Sequence, residues 1–251
     1  SSVPAAGPEH TEEVSAVRLR IKFSKTGSMK FIGHLDIMRY FQKALRRMGA
    51  DVAFSGGFSP HMLMSFAQPL GVGAESCGEY FDLEVHSCES TAEFQQRLNS
   101  CMVPEIRILQ VIRIPEDKAS KGMTLVSAAD YRIAFRDPSM LPARWQDRIG
   151  EFLSQPSIVI TKKGKKGDRE VDIRPLIYKM EASGNELVLR ISAGSKDNLK
   201  PELAAEAFGA FLGISFPEHS LQICREELCA DAGKDGSRQF RPLGELGDTI
   251  E

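Results

Sequence analysis

The 251-residue chain has no run of about 18 consecutive apolar residues, so no segment reads as a membrane-spanning helix. Its Pro/Ala/Glu-rich start lacks the basic and apolar regions of a secretory signal, and a soluble, cytoplasmic protein is the expectation. Cysteine is scarce: five residues at the irregular positions Cys77, Cys88, Cys101, Cys224 and Cys229 build no disulfide framework and are read as reduced thiols. An excess of charge of one sign is missing too. The 32 Lys and Arg stand against 34 Asp and Glu, a formal net charge of -2, which excludes a uniformly basic nucleic-acid coat and leaves only local patches. The chain has no CxxC or HExxH pair, no GxxxxGK[ST] loop, no dinucleotide fingerprint and no CxxxCxxC triplet. Neither a metal nor a cofactor is therefore expected.

With 42% apolar and 26% charged residues, the chain can bury a sizeable core. Residues 1–15 are Pro, Ala, Gly and Glu with little to bury, and read as a disordered tail. VRLRIKF then alternates Val17, Leu19, Ile21 and Phe23 with Arg18, Arg20 and Lys22, the period of a half-buried strand. FIGHLDIMRYFQKALRRMG spaces Phe31, Leu35, Met38, Phe41, Leu45 and Met48 as a helix that Gly49 stops. A strand near Val52, a strand at EYFDLEVH, a helix at TAEFQQRLNSCM and a strand at IRILQVIRI follow. The succession then repeats from YRIAF to LQICREEL. The expected fold is α+β, as tandem ferredoxin-like (βαββαβ) domains with antiparallel sheets over residues 16–118 and 119–228. Residues 229–251 read as a flexible C-terminal tail with Phe240, Leu243 and Leu246 as anchors.

Charge is distributed unevenly. Between residues 17 and 60 the only acids are Asp36 and Asp51, against Arg18, Arg20, Lys22, Lys25, Lys30, Arg39, Lys43, Arg46 and Arg47. The segment TKKGKKGDREVDIRP crowds Lys162, Lys163, Lys165, Lys166 and Arg169 around a Gly-containing turn, with Arg174 beyond it, and reads as a basic finger. Lysines on flexible stems suit phosphates held without base readout, so Arg18, Arg20, Arg39, Lys43, Arg46, Arg47 and these hairpin residues form the expected RNA-binding set. Glu75, Glu79, Asp82, Glu84, Glu89 and Glu93 run without an intervening Lys or Arg, which suggests an acidic face for a basic protein partner.

Two histidines offer general acid–base chemistry: His34 beside Asp36, and His61 in the GGFSPH loop. A His at a helix start more often packs or caps locally, and convergence of the pair is not given by the sequence. Gly56 and Gly57, with Phe58, Ser59 and His61, make that loop a ligand candidate, because glycines allow close backbone approach; the plainer reading is a turn needing unusual torsions.

Taken together, SKTG, FIGHLD, GFSPH, SFAQPLGVGAES and DIRP resemble the radical-SAM-associated bacterial domain of unknown function, over about Val17 to Leu228. The chain departs from the usual pattern at Gly33, often Ser in relatives, and at Met62, commonly Pro. The resemblance implies a domain fused to, or encoded beside, a radical-SAM enzyme, often near RNA-processing and ribosomal functions; the missing cluster triplet fits the separate form. It transfers no catalytic residue. The expected function is thus an RNA-binding accessory protein, itself without evident catalysis, that presents RNA (tRNA or ribosomal RNA) to a radical-SAM enzyme. The alternatives are a metal-independent endoribonuclease using His34 or His61, similar to CRISPR repeat-processing nucleases, and a protein scaffold without RNA.

Overall fold

A computed structural model describes residues 16–163 and 167–251. The first half runs β1 (Val17–Lys25), α1 (His34–Met48), β2 (Met64–Phe66), β3 (Glu75–Val85), α2 (Thr91–Ser100) and β4 (Ile106–Ile114). The second runs α3 (Gly122–Leu125), β5 (Val126–Phe135), α4 (Ile149–Ser154), β6 (Val159–Lys162), β7 (Arg169–Asp172), β8 (Ile177–Ser183), β9 (Glu186–Ser192), α5 (Pro201–Phe211), β10 (Leu221–Asp231) and β11 (Phe240–Pro242). The protein is α+β, built on one large, mostly antiparallel sheet.

That sheet has nine strands in the order β4-β1-β3-β10-β5-β9-β8, with β2 on β3 and β11 on β10. Separate sheets were expected; instead β3 and β10 pair in parallel, Cys224 opposite Glu75 and Arg225 opposite Ser76. Two features of β3 make the join. The three-residue β2 covers only Phe81–Leu83, which leaves the start of β3 with unpaired backbone. Gly78 then lets β10 approach, since a Cβ there would lie 2.3 Å from the Glu226 carbonyl oxygen. The strand expected at SIVITKK also lies elsewhere: β6 pairs with β7 in a separate two-stranded sheet, and β8 takes the place beside β9.

α1 closes where Gly49 adopts φ 71°, a left-handed stop. Its buried face is Ile37, Phe41, Ala44 and Leu45, whereas Phe31 and Leu35 of the expected stripe stand 64% and 60% exposed. The helix begins at His34, so Phe31 belongs to a preceding 3-10 turn and Leu35 falls outside the arc that meets the sheet. Phe94 and Leu98 of α2 are buried as spaced, in the same core as Leu19, Ile21, Phe23, Phe81 and Leu83. A second core gathers Tyr131, Ile133, Trp145, Phe152, Leu189 and Phe208.

The C-terminal segment is docked rather than loose. Residues 229–231 are in β10, β11 pairs back onto them, Leu243 is fully buried, and Asp248 exchanges backbone hydrogen bonds with Arg113 on β4. Its few apolar residues suffice because its backbone polar groups extend the sheet instead of needing a core of their own. The expected N-terminal tail, residues 1–15, lies outside the described residues.

Candidate functional site

The paired charges of β1 and β3 decide which basic residues reach solvent. Arg18 faces Glu84 and Arg20 faces Asp82 across the strand pair, at 2.9 Å in each case. Arg20 also donates to the Ser120 and Leu243 carbonyls, and it is 1% exposed. Both arginines thus leave the RNA-binding set: segments following β4 and β11 cover the strand face that alternation alone had left to water. Arg174 leaves it as well, since its guanidinium donates to the Leu153 and Ile177 carbonyls. The expected acidic face keeps only part of its charge, because Glu89 and Glu93 stay exposed while Glu79, Asp82 and Glu84 are paired. Asp82 and Glu84 are the partners just named, and Glu79 is 3% exposed beneath Arg225.

The remaining basic residues are outward. Lys43, Arg46 and Arg47 are exposed on α1; Arg47 also donates to the Cys101 carbonyl, and Arg39 meets Asp36 at 3.1 Å. In the β6–β7 hairpin, Lys162 lies directly opposite Arg169, and Lys163 is exposed at the turn. Among the described residues neither Lys162 nor Arg169 meets a carboxylate within ion-pair distance. Lys165 and Lys166 lie outside the described residues.

Three of the sequence phrases converge at one place. Lys25 of SKTG donates to the Ile32 carbonyl of FIGHLD at 2.7 Å. The Gly73 amide of SFAQPLGVGAES donates to the Lys30 carbonyl, and the Gly27 amide donates to Glu75. They enclose a narrow slot lined by Phe23, Lys25, His34, Phe66, Gln68 and Glu79, with about 20 Å³ open to water. Behind it, Arg225 donates to both Glu79 oxygens at 2.6 and 2.7 Å, to the Gln68 carbonyl at 2.8 Å and to the Tyr131 hydroxyl at 3.5 Å. Burial holds the Lys25 ammonium below its ordinary value; Glu79 opposes this and Arg225 adds to it. Arg225 and Lys25 were not singled out by sequence reasoning. Arg225 has no local signal, because its partner is 146 residues away.

The two histidines do not share this slot. His34 lies on its wall, edge-on to Phe66 with ring centroids 5.0 Å apart. His61 hydrogen-bonds Ser55 Oγ through Nδ1 at 2.8 Å inside its own hairpin and is not among the slot residues. In that loop Gly56, Gly57, Phe58, Ser59 and His61 are all exposed. A Cβ at Gly56 or Gly57 would meet no atom of the chain within 4 Å, and Gly57 is required by its φ of 98°. Among the described residues no group of three or more His, Cys, Asp or Glu could hold a metal ion, and no helix is long and apolar enough to cross a membrane.

The Cys77 and Cys224 thiols are neighbours at the β3–β10 join. A hydrogen bond from Cys224 pulls the exposed Cys77 thiol down to about 7, while burial pushes Cys229 up to about 12.

Solved structures include two that are distantly similar to this chain. One is a Cbf5-Nop10-Gar1 complex, at 10% identity and a TM-score of 0.40, with 84% of this chain and 48% of that chain covered. Another is an unknown protein from Galdieria sulphuraria, at 12% identity and a TM-score of 0.27, covering 84% and 98%. The chain thus spans about half the length of the first. No curated protein matches. A family model does: over residues 18–201, from Arg18 on β1 to the first residue of α5, the chain belongs to DUF2344, a family of uncharacterized proteins conserved in bacteria.

Proposed function

We propose that this protein is a non-catalytic RNA-binding module that presents RNA to a separate radical-SAM enzyme in the bacterial cytoplasm. The observation that carries the reading is the β6–β7 hairpin. Like charges placed directly opposite each other across a strand pair are destabilising, yet Lys162 faces Arg169 there with no carboxylate between them. Arg18 and Arg20 each face an acid across their strand pair, and Arg190, opposite Lys179 on β8, is compensated by Asp130 on its other side. A hairpin outside the main sheet whose Lys162 and Arg169 are in no ion pair among the described residues is suited to an external polyanion, and RNA phosphates are the partner that the family resemblance favours. The exposed Lys43, Arg46 and Arg47 of α1 add a second cationic strip.

The finer fold reading belongs with this proposal: each half is a ferredoxin-like unit, the two fused edge to edge. It is supported by the strand orders β4-β1-β3-β2 and β10-β5-β9-β8, which follow one pattern with all neighbours antiparallel in each half.

The test is the salt dependence of RNA affinity in the variant Lys162→Gln/Lys163→Gln/Arg169→Gln. Three lost phosphate contacts should flatten the slope of log affinity against log salt by about 2 on single-stranded RNA. An unchanged slope and affinity would refute the hairpin's role. Co-purification of a radical-SAM protein with the wild-type chain tests the partner.

A further inference from the structure

We propose that Tyr178, Phe240 and Arg238 form a stacking platform for an unpaired base of single-stranded RNA; this rests on the RNA-binding reading above. The Tyr178 and Phe240 rings stack with centroids 4.9 Å apart and planes at 30°. The Arg238 guanidinium lies 4.6 Å over the Tyr178 ring, and the Arg190 guanidinium lies 5.6 Å from the centre of the Phe240 ring. The Arg238 guanidinium also lies 6.0 Å from the centre of the Phe240 ring, so it caps both aromatic rings; aromatic and guanidinium planes are the two kinds of surface on which proteins stack nucleobases.

Three further observations separate it from ordinary packing. Tyr178 sits where the β8–β9 register shifts between Ile177 and Lys179, on the edge strand of the sheet. Such a bulge re-aims a side chain and is over-represented next to functional sites. The stack is also not closed over: Tyr178 and Phe240 are half-buried, and the Arg238 side chain is 53% exposed. Finally, the Tyr178 hydroxyl has no protein partner among the described residues and is open to water, so the outer edge of the ring is accessible. Arg190 is held rigidly by two 2.7 Å bonds to Asp130, which fixes Phe240 from behind. Arg238 meets its acid, Asp231, only at 3.5 Å, and the outer face of its half-exposed guanidinium is left to take the base above Tyr178.

The platform adjoins the basic hairpin along the chain. β7 ends at Asp172 and passes through the 3-10 turn Arg174–Leu176 into β8, six residues before Tyr178. Phosphates held by the hairpin and a base held by the platform would divide the work between charge and stacking.

The experiment is binding of a fluorescein-labelled ten-nucleotide uridine RNA to the full chain across a salt series, for the wild type and for Tyr178→Ala, Tyr178→Phe and Arg238→Ala. Tyr178→Ala is expected to weaken binding by about 5- to 150-fold, the range for loss of one stacked base, with the salt slope unchanged. Tyr178→Phe keeps the ring and should bind like the wild type. Arg238→Ala changes only an exposed turn residue and should weaken binding even if Tyr178→Ala fails to fold. Wild-type affinity in both alanine variants, with the hairpin-dependent slope intact, overturns the platform and leaves the RNA reading standing. Equal weakening by Tyr178→Phe and Tyr178→Ala also overturns it, because stacking would not be the cause. No RNA binding by the wild type overturns both.

Discussion

Replacing Arg225 by Ala tests how the two halves are held together. The side chain is 1% exposed and satisfies five acceptor atoms: both oxygens of Glu79, the carbonyls of Gln68 and Pro69, and the Tyr131 hydroxyl. Removing one member of a buried ion pair leaves its partner's charge without compensation, a cost of about 3–5 kcal/mol. The bare Gln68 carbonyl adds to this, because an unsatisfied buried acceptor costs about 1–3 kcal/mol. A loss toward the upper end is expected in urea unfolding followed by far-UV circular dichroism, read as a lower midpoint. Hydrogen exchange gives a local readout. The Gly73 amide, bonded to Lys30 across the loop that Arg225 pins, should lose protection before the strands do. The double variant Glu79→Leu/Arg225→Met removes both charges and should recover more than half of the loss. Two results would refute the claim that this pair anchors the join: a loss below about 1 kcal/mol in Arg225→Ala, well under the usual cost of breaking a buried ion pair, or a double variant less stable than the single one.

Two further outcomes follow from the packing and the thiols. Leu243→Ala removes a fully buried side chain from the C-terminal segment and should cost about 2–5 kcal/mol in the same unfolding assay; a loss near zero would mean that the segment is not part of the core. Cys77 should be the first thiol alkylated by iodoacetamide, its rate rising as the thiolate forms through a pH of about 7. Because the Cys224 hydrogen bond favours the charged form, Cys224→Ala should move that midpoint up toward the ordinary 9.0, and an unmoved midpoint would count against the contact.

Local pattern in the sequence carried the elements that depend on neighbours three or four residues away. The alternation of VRLRIKF gave β1, Gly49 gave the end of α1, and Phe94 with Leu98 gave the buried face of α2. The charged hairpin was legible too, since its two paired strands lie within one short segment. Membership of a bacterial domain family of unknown function was legible from its phrases. What those phrases do was not, because SKTG, FIGHLD and SFAQPLGVGAES meet only in three dimensions, around Lys25 and His34. Tertiary structure alone decided the fate of the charges. A strand pattern says which residues share a face and leaves open whether that face meets water; here distant segments cover it, and Arg18, Arg20 and Glu79 became internal partners instead of surface patches. The aromatic stack of Tyr178 and Phe240 was out of reach as well, two rings 62 positions apart that nothing in their own neighbourhoods connects. So was the join at β3–β10, for it depends on a short β2 leaving backbone unpaired and on Gly78 admitting a strand about 150 residues further along.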